Sequence, residues 1–134
     1  MASGSQMILL DTCVLFWLEH EPERISPAAI EALRMPTTAC FASSISALEL
    51  GLKVARGKLK LPLPPGDWLR EICRHRGIGG IPVDFSIAGE SALLPRIHDD
   101  PFDRILIATA VQRSLRLVTP DSHISKYPGL DVLW

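Results

Sequence analysis

Short apolar runs alternate with longer segments of helical spacing from residue 7 to the C-terminus, a pattern that restricts the chain to an α/β architecture. Residues 7–10 are apolar, too short for a helix and followed by Asp11, so they predict a buried strand whose end emerges at a sheet edge. "TCVLFWLEH" places Val14, Trp17 and Leu18 at helical spacing, and "ERISPAAIEALR" offers Ser26 as an N-cap with Pro27 in the first helical position. "ACFAS" predicts a second strand, and "SISALELGLKVARG" a helix capped by Ser43 or Ser44 that ends near Gly57 in a basic last turn. Beyond the loop "KLKLPLPPGD", the helix "DWLREICRHRG" is expected to be capped by Asp67. Then come a strand in "GIPVD", a helix in "SIAGESALLPRI" interrupted by Pro95, a helix in "PFDRILIATAVQRS", and strands in "LRLVTPD" and "LDVLW". This order predicts one domain with a mainly parallel central sheet covered by helices on both faces, and ligand sites at the carboxyl ends of its strands.

With 134 residues, 47% of them hydrophobic, the chain is long enough for one substantial core. It has no apolar run near the roughly 20 residues of a membrane span, and we expect a cytoplasmic protein. The small polar residues 1–6 read as a cloning remnant, which leaves a domain at 7–134. Three widely spaced cysteines, Cys13, Cys40 and Cys73, fit a reducing compartment. Cys73 and His75 lack a second pair of ligands, so no zinc site is assigned. Net charge is −1, yet residues 53–76 carry seven basic residues against Asp67 and Glu71. Lys53, Arg56, Lys58 and Lys60 would form a rim attracting phosphate beside an acidic centre, the alternative being a solvated helix face and loop.

The acids decide the functional reading. In "HDDPFDRILIATA", Asp100 reads as an N-cap, Pro101 as the first helical residue, and Asp103 as an acid supporting the helix N-terminus. Asp99 reads as solvated. Asp11 ends the first strand and Asp121 follows another by two residues, so both reach the carboxyl edge of a parallel sheet. The helix begun at Asp103 leads into that second strand, which brings its N-terminus to the same edge. Glu49 shares a partly apolar helix face with Ile45 and Leu52, which turns its carboxylate inward. Clustered carboxylates repel unless a cation neutralises them; an oxygen-only donor set suits Mg²⁺ or Mn²⁺, and the chemistry implied is phosphodiester hydrolysis. His20, His75, His98 and His123 lack a common spacing and receive no general-base role.

At these residues the chain resembles the PIN-domain ribonucleases, and among them the VapC-type toxins of bacterial toxin–antitoxin pairs. "ILLDTCVLFWL" is similar to the family's opening strand and first acid, and "SSISALELGLKVARGKLKLP" to its acidic helix and following loop. "HDDPFDRILIATA" is similar to its third acid, and "LVTPDSHISKYPGLDVLW" to its closing strand, fourth acid and last strand. The resemblance implies that Asp11, Glu49, Asp103 and Asp121 are the catalytic and metal-holding quartet, Asp11 and Asp103 being closest to the metal. Thr12 and Thr119 would orient carboxylates, with local turn capping as the alternative, and Arg104 would form a structural ion pair. Cys13 stands where relatives often have His, Asn or Ser.

The resemblance further implies cleavage of transfer or ribosomal RNA to 5′-phosphate and 3′-hydroxyl ends, homodimerisation, and a VapB-type antitoxin whose disordered tail folds into a hydrophobic groove and places a basic side chain against the acids; Trp17 and Leu18 are candidates for that groove, with core packing as the alternative. A PIN nuclease of RNA processing that is no toxin is one alternative. A catalytically inactive module binding RNA or a partner is another. A phospho-acceptor receiver domain fits poorly, because Asp11 has no acidic partner before it.

Overall fold

In the computed structural model, which describes residues 6–134, the chain runs β1 (Gln6–Leu10), α1 (Thr12–His20), a 3₁₀ turn (Pro22–Arg24), α2 (Pro27–Arg34), β2 (Thr38–Ser43) and α3 (Ile45–Ala55). There follow α4 (Pro65–Arg76), β3 (Gly79–Ile81), α5 (Phe85–Leu93), α6 (Pro101–Arg113), β4 (Arg116–Val118), a second 3₁₀ turn (Ile124–Lys126) and β5 (Val132–Leu133). Residues 1–5 of the expected remnant lie outside the described residues, while Gln6 opens β1 one residue earlier than anticipated.

The five strands form one sheet in the order β3-β2-β1-β4-β5, every pairing parallel. Strand β1 is central, and Ile8, Leu9 and Leu10 are fully buried. Alternation sends Ile8 and Leu10 to one face, against Val14, Leu15, Leu50 and Trp68. Leu9 goes to the other, against Leu106, Ile107, Leu117 and Ile124. Both faces are therefore covered by helices, as the continuous apolar character of β1 requires. Going outward from β1, the chain passes to β2 and β3 on one side and to β4 and β5 on the other. The reversal lies between β1 and β4, and a parallel sheet opens a crevice at the carboxyl ends of such a pair.

Several boundaries move for local reasons. Ser26 caps α2 as expected, its Oγ accepting from the Ala29 N–H at 3.2 Å. Helix α4 begins at Pro65, whose fixed φ suits the first turn, so Asp67 is inside the helix and bonds Arg70 at 2.9 Å instead of capping. Strand β3 stops before Pro82, which has no N–H to give; Asp84, expected in the strand, caps α5 by accepting from Ile87 at 2.9 Å. The start of α3 divides its capping: Ser43 Oγ accepts from the Ile45 N–H, and Ser44 Oγ accepts from Val83, tying α3 to the chain beyond β3. Gly57, at φ 71, takes the left-handed turn that ends the α3 segment.

Leu9→Ala removes a fully buried side chain from the central strand and should cost about 2–5 kcal/mol in urea unfolding. Met7→Ala, at a site 51% exposed, should cost less than about 0.5 kcal/mol.

Candidate active site

Asp11 leaves the end of β1 at the reversal point, where its N–H still donates to the Val118 carbonyl at 3.0 Å. Its carboxylate caps α1: Oδ1 accepts from the Thr12 N–H at 2.7 Å. Oδ2 accepts from the Thr119 hydroxyl at 2.6 Å. The same hydroxyl oxygen accepts from the Asp121 N–H at 3.2 Å. Thr119 thus makes the capping bond of the turn after β4 and a second bond that orients Asp11. Burial is the main force raising the Asp11 pKa; Thr119, Thr12 and Lys53 oppose it, and the Asp121 charge adds to it.

Glu49 is half-buried on α3, and its Oε1 is removed from solvent without a hydrogen-bond partner among the described residues. Burial raises its pKa first, against the Thr12 side chain and Lys53, while Asp11 and Asp100 push it further up. Thr12 is fully buried beside it, with its hydroxyl 2.8 Å from that of Ser46 on α3. Ser46, which the sequence did not single out, therefore joins α1 to α3 below the acids.

Asp103 stands in the first turn of α6, where Asp100 caps as expected: its Oδ1 accepts from the Phe102 N–H at 2.9 Å and from the Asp103 N–H at 3.4 Å. Asp99 is exposed. The Asp103 carboxyl is pushed up to about 7, chiefly by burial, with Asp11, Asp100 and Glu49 adding to it and His98 acting against it. His98 was set aside on spacing, yet its Nε2 lies 2.6 Å from Asp103 Oδ2 and 3.8 Å from Asp121 Oδ2. His123 Nδ1 is 3.4 Å from the other Asp121 oxygen. Of the remaining histidines, His20 stacks on Phe16 and Trp68, and His75 is exposed.

Arg104 corrects another expectation. Rather than an ion pair, it donates to the carbonyls of Leu94, Pro95 and His98 at 2.8, 3.0 and 3.1 Å. It thereby fixes the segment that delivers His98, and no spacing rule could have announced a contact made through loop carbonyls.

Four carboxylates from four elements thus share one region, three of them with raised pKa values and one with an orphaned oxygen. Lys53, four residues beyond Glu49 on α3, is the cation whose charge reaches both Asp11 and Glu49. Oxygen donors with unmet negative charge fit a hard divalent cation. Beside them, Arg56, Lys58 and Lys60 are exposed and have no carboxylate within ion-pair reach among the described residues. Arg70, Arg74 and Arg76, by contrast, pair with Asp67, Glu71 and Glu19. Trp17 lines a groove with Cys13, Phe16, Leu50 and Leu59, edged by Lys53, Lys58 and an Arg24 paired with Glu21 at 3.8 Å. Leu18 does not line it; like Trp17, it packs against the core.

Residues 8–130 match the PIN domain family model, and the chain belongs to the PIN-domain family. Within it the likeness is to the VapC type: the chain is 34% identical over 131 residues to Ribonuclease VapC22 of Mycobacterium tuberculosis, covering 95% of this chain and 98% of that one. VapBC2 from Rickettsia felis, solved bound to a DNA fragment from its promoter, shares the fold with a TM-score of 0.72 at 15% identity, over 96% of this chain and 98% of that one. VapBC-5 of Mycobacterium tuberculosis, a member of the VapBC family of toxin–antitoxin systems, aligns with a TM-score of 0.58 at 20% identity, over 95% and 97%.

Asp103 supplies a pH signature. Its folded pKa of about 7 lies above the ordinary value of 3.8, so the unfolded chain releases the proton first. The stability it contributes is present below 3.8 and is lost as pH rises through about 7. The melting temperature of the metal-free protein should fall across that window, and less so in Asp103→Asn. Mg²⁺ should raise the melting temperature more on the alkaline side of the window than on the acid side.

Proposed function

We propose that the chain is a divalent-metal-dependent endoribonuclease, the toxin of a toxin–antitoxin pair, which cuts structured RNA of the transfer or ribosomal kind. The observation that carries this reading is the meeting of Asp11, Glu49, Asp103 and Asp121 at the reversal point of the sheet, with burial and mutual repulsion raising the first three. These residues would hold Mg²⁺, or Mn²⁺ in its place. A divalent cation bound there supplies charge neutralisation at the scissile phosphate and makes an attacking water more acidic.

The chain's own groups do the rest. Thr119 keeps Asp11 and Asp121 at a fixed separation, and the Thr12 side chain favours the charged form of Glu49. Lys53 limits the repulsion while the site is empty of RNA. Arg56, Lys58 and Lys60 draw the phosphate backbone toward the acids, and the product ends are a 5′ phosphate and a 3′ hydroxyl. Neutralisation falls to a VapB-type antitoxin. The groove at Trp17, apolar within and edged by Arg24, Lys53, Lys58 and Glu21, suits an amphipathic segment from which a basic side chain would reach the acids. The active form is a homodimer in the cytoplasm, and no helix among the described residues is long and apolar enough to cross a membrane.

Purified protein incubated with total RNA and Mg²⁺ should give discrete cuts bearing 5′ phosphates. EDTA should abolish them, and Asp11→Asn and Asp103→Asn should each slow them by about a hundredfold or more. Equal cleavage by wild type and both variants would sink the assignment. Lys58→Glu with Lys60→Glu should raise KM several-fold, leave kcat nearly unchanged, and flatten the salt dependence.

A further inference from the structure

We propose that His98 is itself a ligand of the metal site, adding an imidazole nitrogen beside the Asp103 and Asp121 carboxylates, and that this nitrogen turns the site toward Mn²⁺ over Mg²⁺. The inference rests on the reading of the acids as a metal site. One ligand atom from each of the three residues lies within 4.8 Å of the other two. Donors sharing an ion through bonds of about 2.1–2.2 Å stand about 3 Å apart side by side and about 4.3 Å apart across the ion. The separations from His98 Nε2, 2.6 and 3.8 Å, approach that pattern, so exchanging the hydrogen bond for a shared ion takes only small side-chain shifts.

The backbone around His98 is built to hold the ring there. Its carbonyl accepts from Arg104 at 3.1 Å and from the Tyr127 hydroxyl at 3.2 Å. Arg104 also binds the Leu94 and Pro95 carbonyls, so it spends its donors on the segment carrying His98 while its neighbour Asp103 faces the ring. A histidine that merely shielded a carboxylate would not call for a clamp of that kind; a ligand does, because its position sets affinity. Mg²⁺ takes oxygen donors, whereas imidazole suits transition metals, so a nitrogen at this place discriminates between the two ions.

The test loads the full chain with Mn²⁺ and looks for nitrogen coupling by electron spin-echo spectroscopy, with Mn²⁺ and Mg²⁺ affinities measured by calorimetry. Wild type and His123→Gln should show the coupling, and His98→Gln should lose it. His98→Gln should also weaken Mn²⁺ about tenfold and leave Mg²⁺ nearly unchanged, the retained Mg²⁺ binding showing that the variant is folded. A nitrogen-free Mn²⁺ spectrum, or coupling that disappears in His123→Gln instead, overturns the inference. So does an unchanged preference in His98→Gln while Asp103→Asn still abolishes Mn²⁺ binding, a result that leaves the acids as a metal site without His98. A wild type that binds neither cation overturns the metal reading and this inference together.

Discussion

Repulsion among buried carboxylates is the constraint on which the rest of the site depends. Asp11, Glu49 and Asp103 all sit where burial disfavours their charge; Asp11 raises the pKa of both Glu49 and Asp103, and Asp121 raises that of Asp11. Left uncompensated, such a cluster would either protonate or push its elements apart. The fold answers with partial positive charge. Asp11 lies at the N-terminus of α1 and Asp103 in the first turn of α6, where unpaired N–H groups and the helix dipole favour an anion. Lys53 and the Thr119 hydroxyl add to this but do not complete it. The remaining deficit is what makes the site receptive to a cation.

Sheet topology explains why the deficit falls in one place. In an all-parallel sheet every strand ends at the same edge, so acids placed at strand ends or in the helices that follow and precede them are drawn together without long-range sequence signals. Reversal of strand order between β1 and β4 puts Asp11 and the turn carrying Asp121 side by side at that edge. Thr119 sits one residue beyond β4 and two before Asp121, a spacing that lets a single hydroxyl serve both carboxylate and turn. The same short spacing makes the motif readable in a linear sequence.

What could be read from the sequence follows from that. The architecture, the placing of Asp11 and Asp121 at one sheet edge, the caps at Ser26 and Asp100 and the burial of Glu49 all depend on contacts within a few residues or on the period of an element. Asp67 and Asp84 were misplaced because the choice between cap and interior turned on which proline began a helix and which ended a strand. Arg104 and His98 were missed for a deeper reason. Their contacts run from a side chain to carbonyls six to ten residues away and from a loop histidine to two acids on different elements, and nothing in local periodicity encodes either. Ser46 belongs with them, since its partner Thr12 is 34 residues distant.

Charge segregation along the chain acquires a physical meaning once the pairs are known. Of the seven basic residues between 53 and 76, the three arginines on α4 are engaged with Asp67, Glu71 and Glu19, which leaves the unpaired positive charge to Lys53 on α3 and to the loop after that helix. That loop borders the groove at Trp17 through Lys58 and Leu59, beside Lys53. On the proposed reading, this unpaired charge would recruit RNA to the acids, and a partner that covered it would slow the chemistry by withholding substrate.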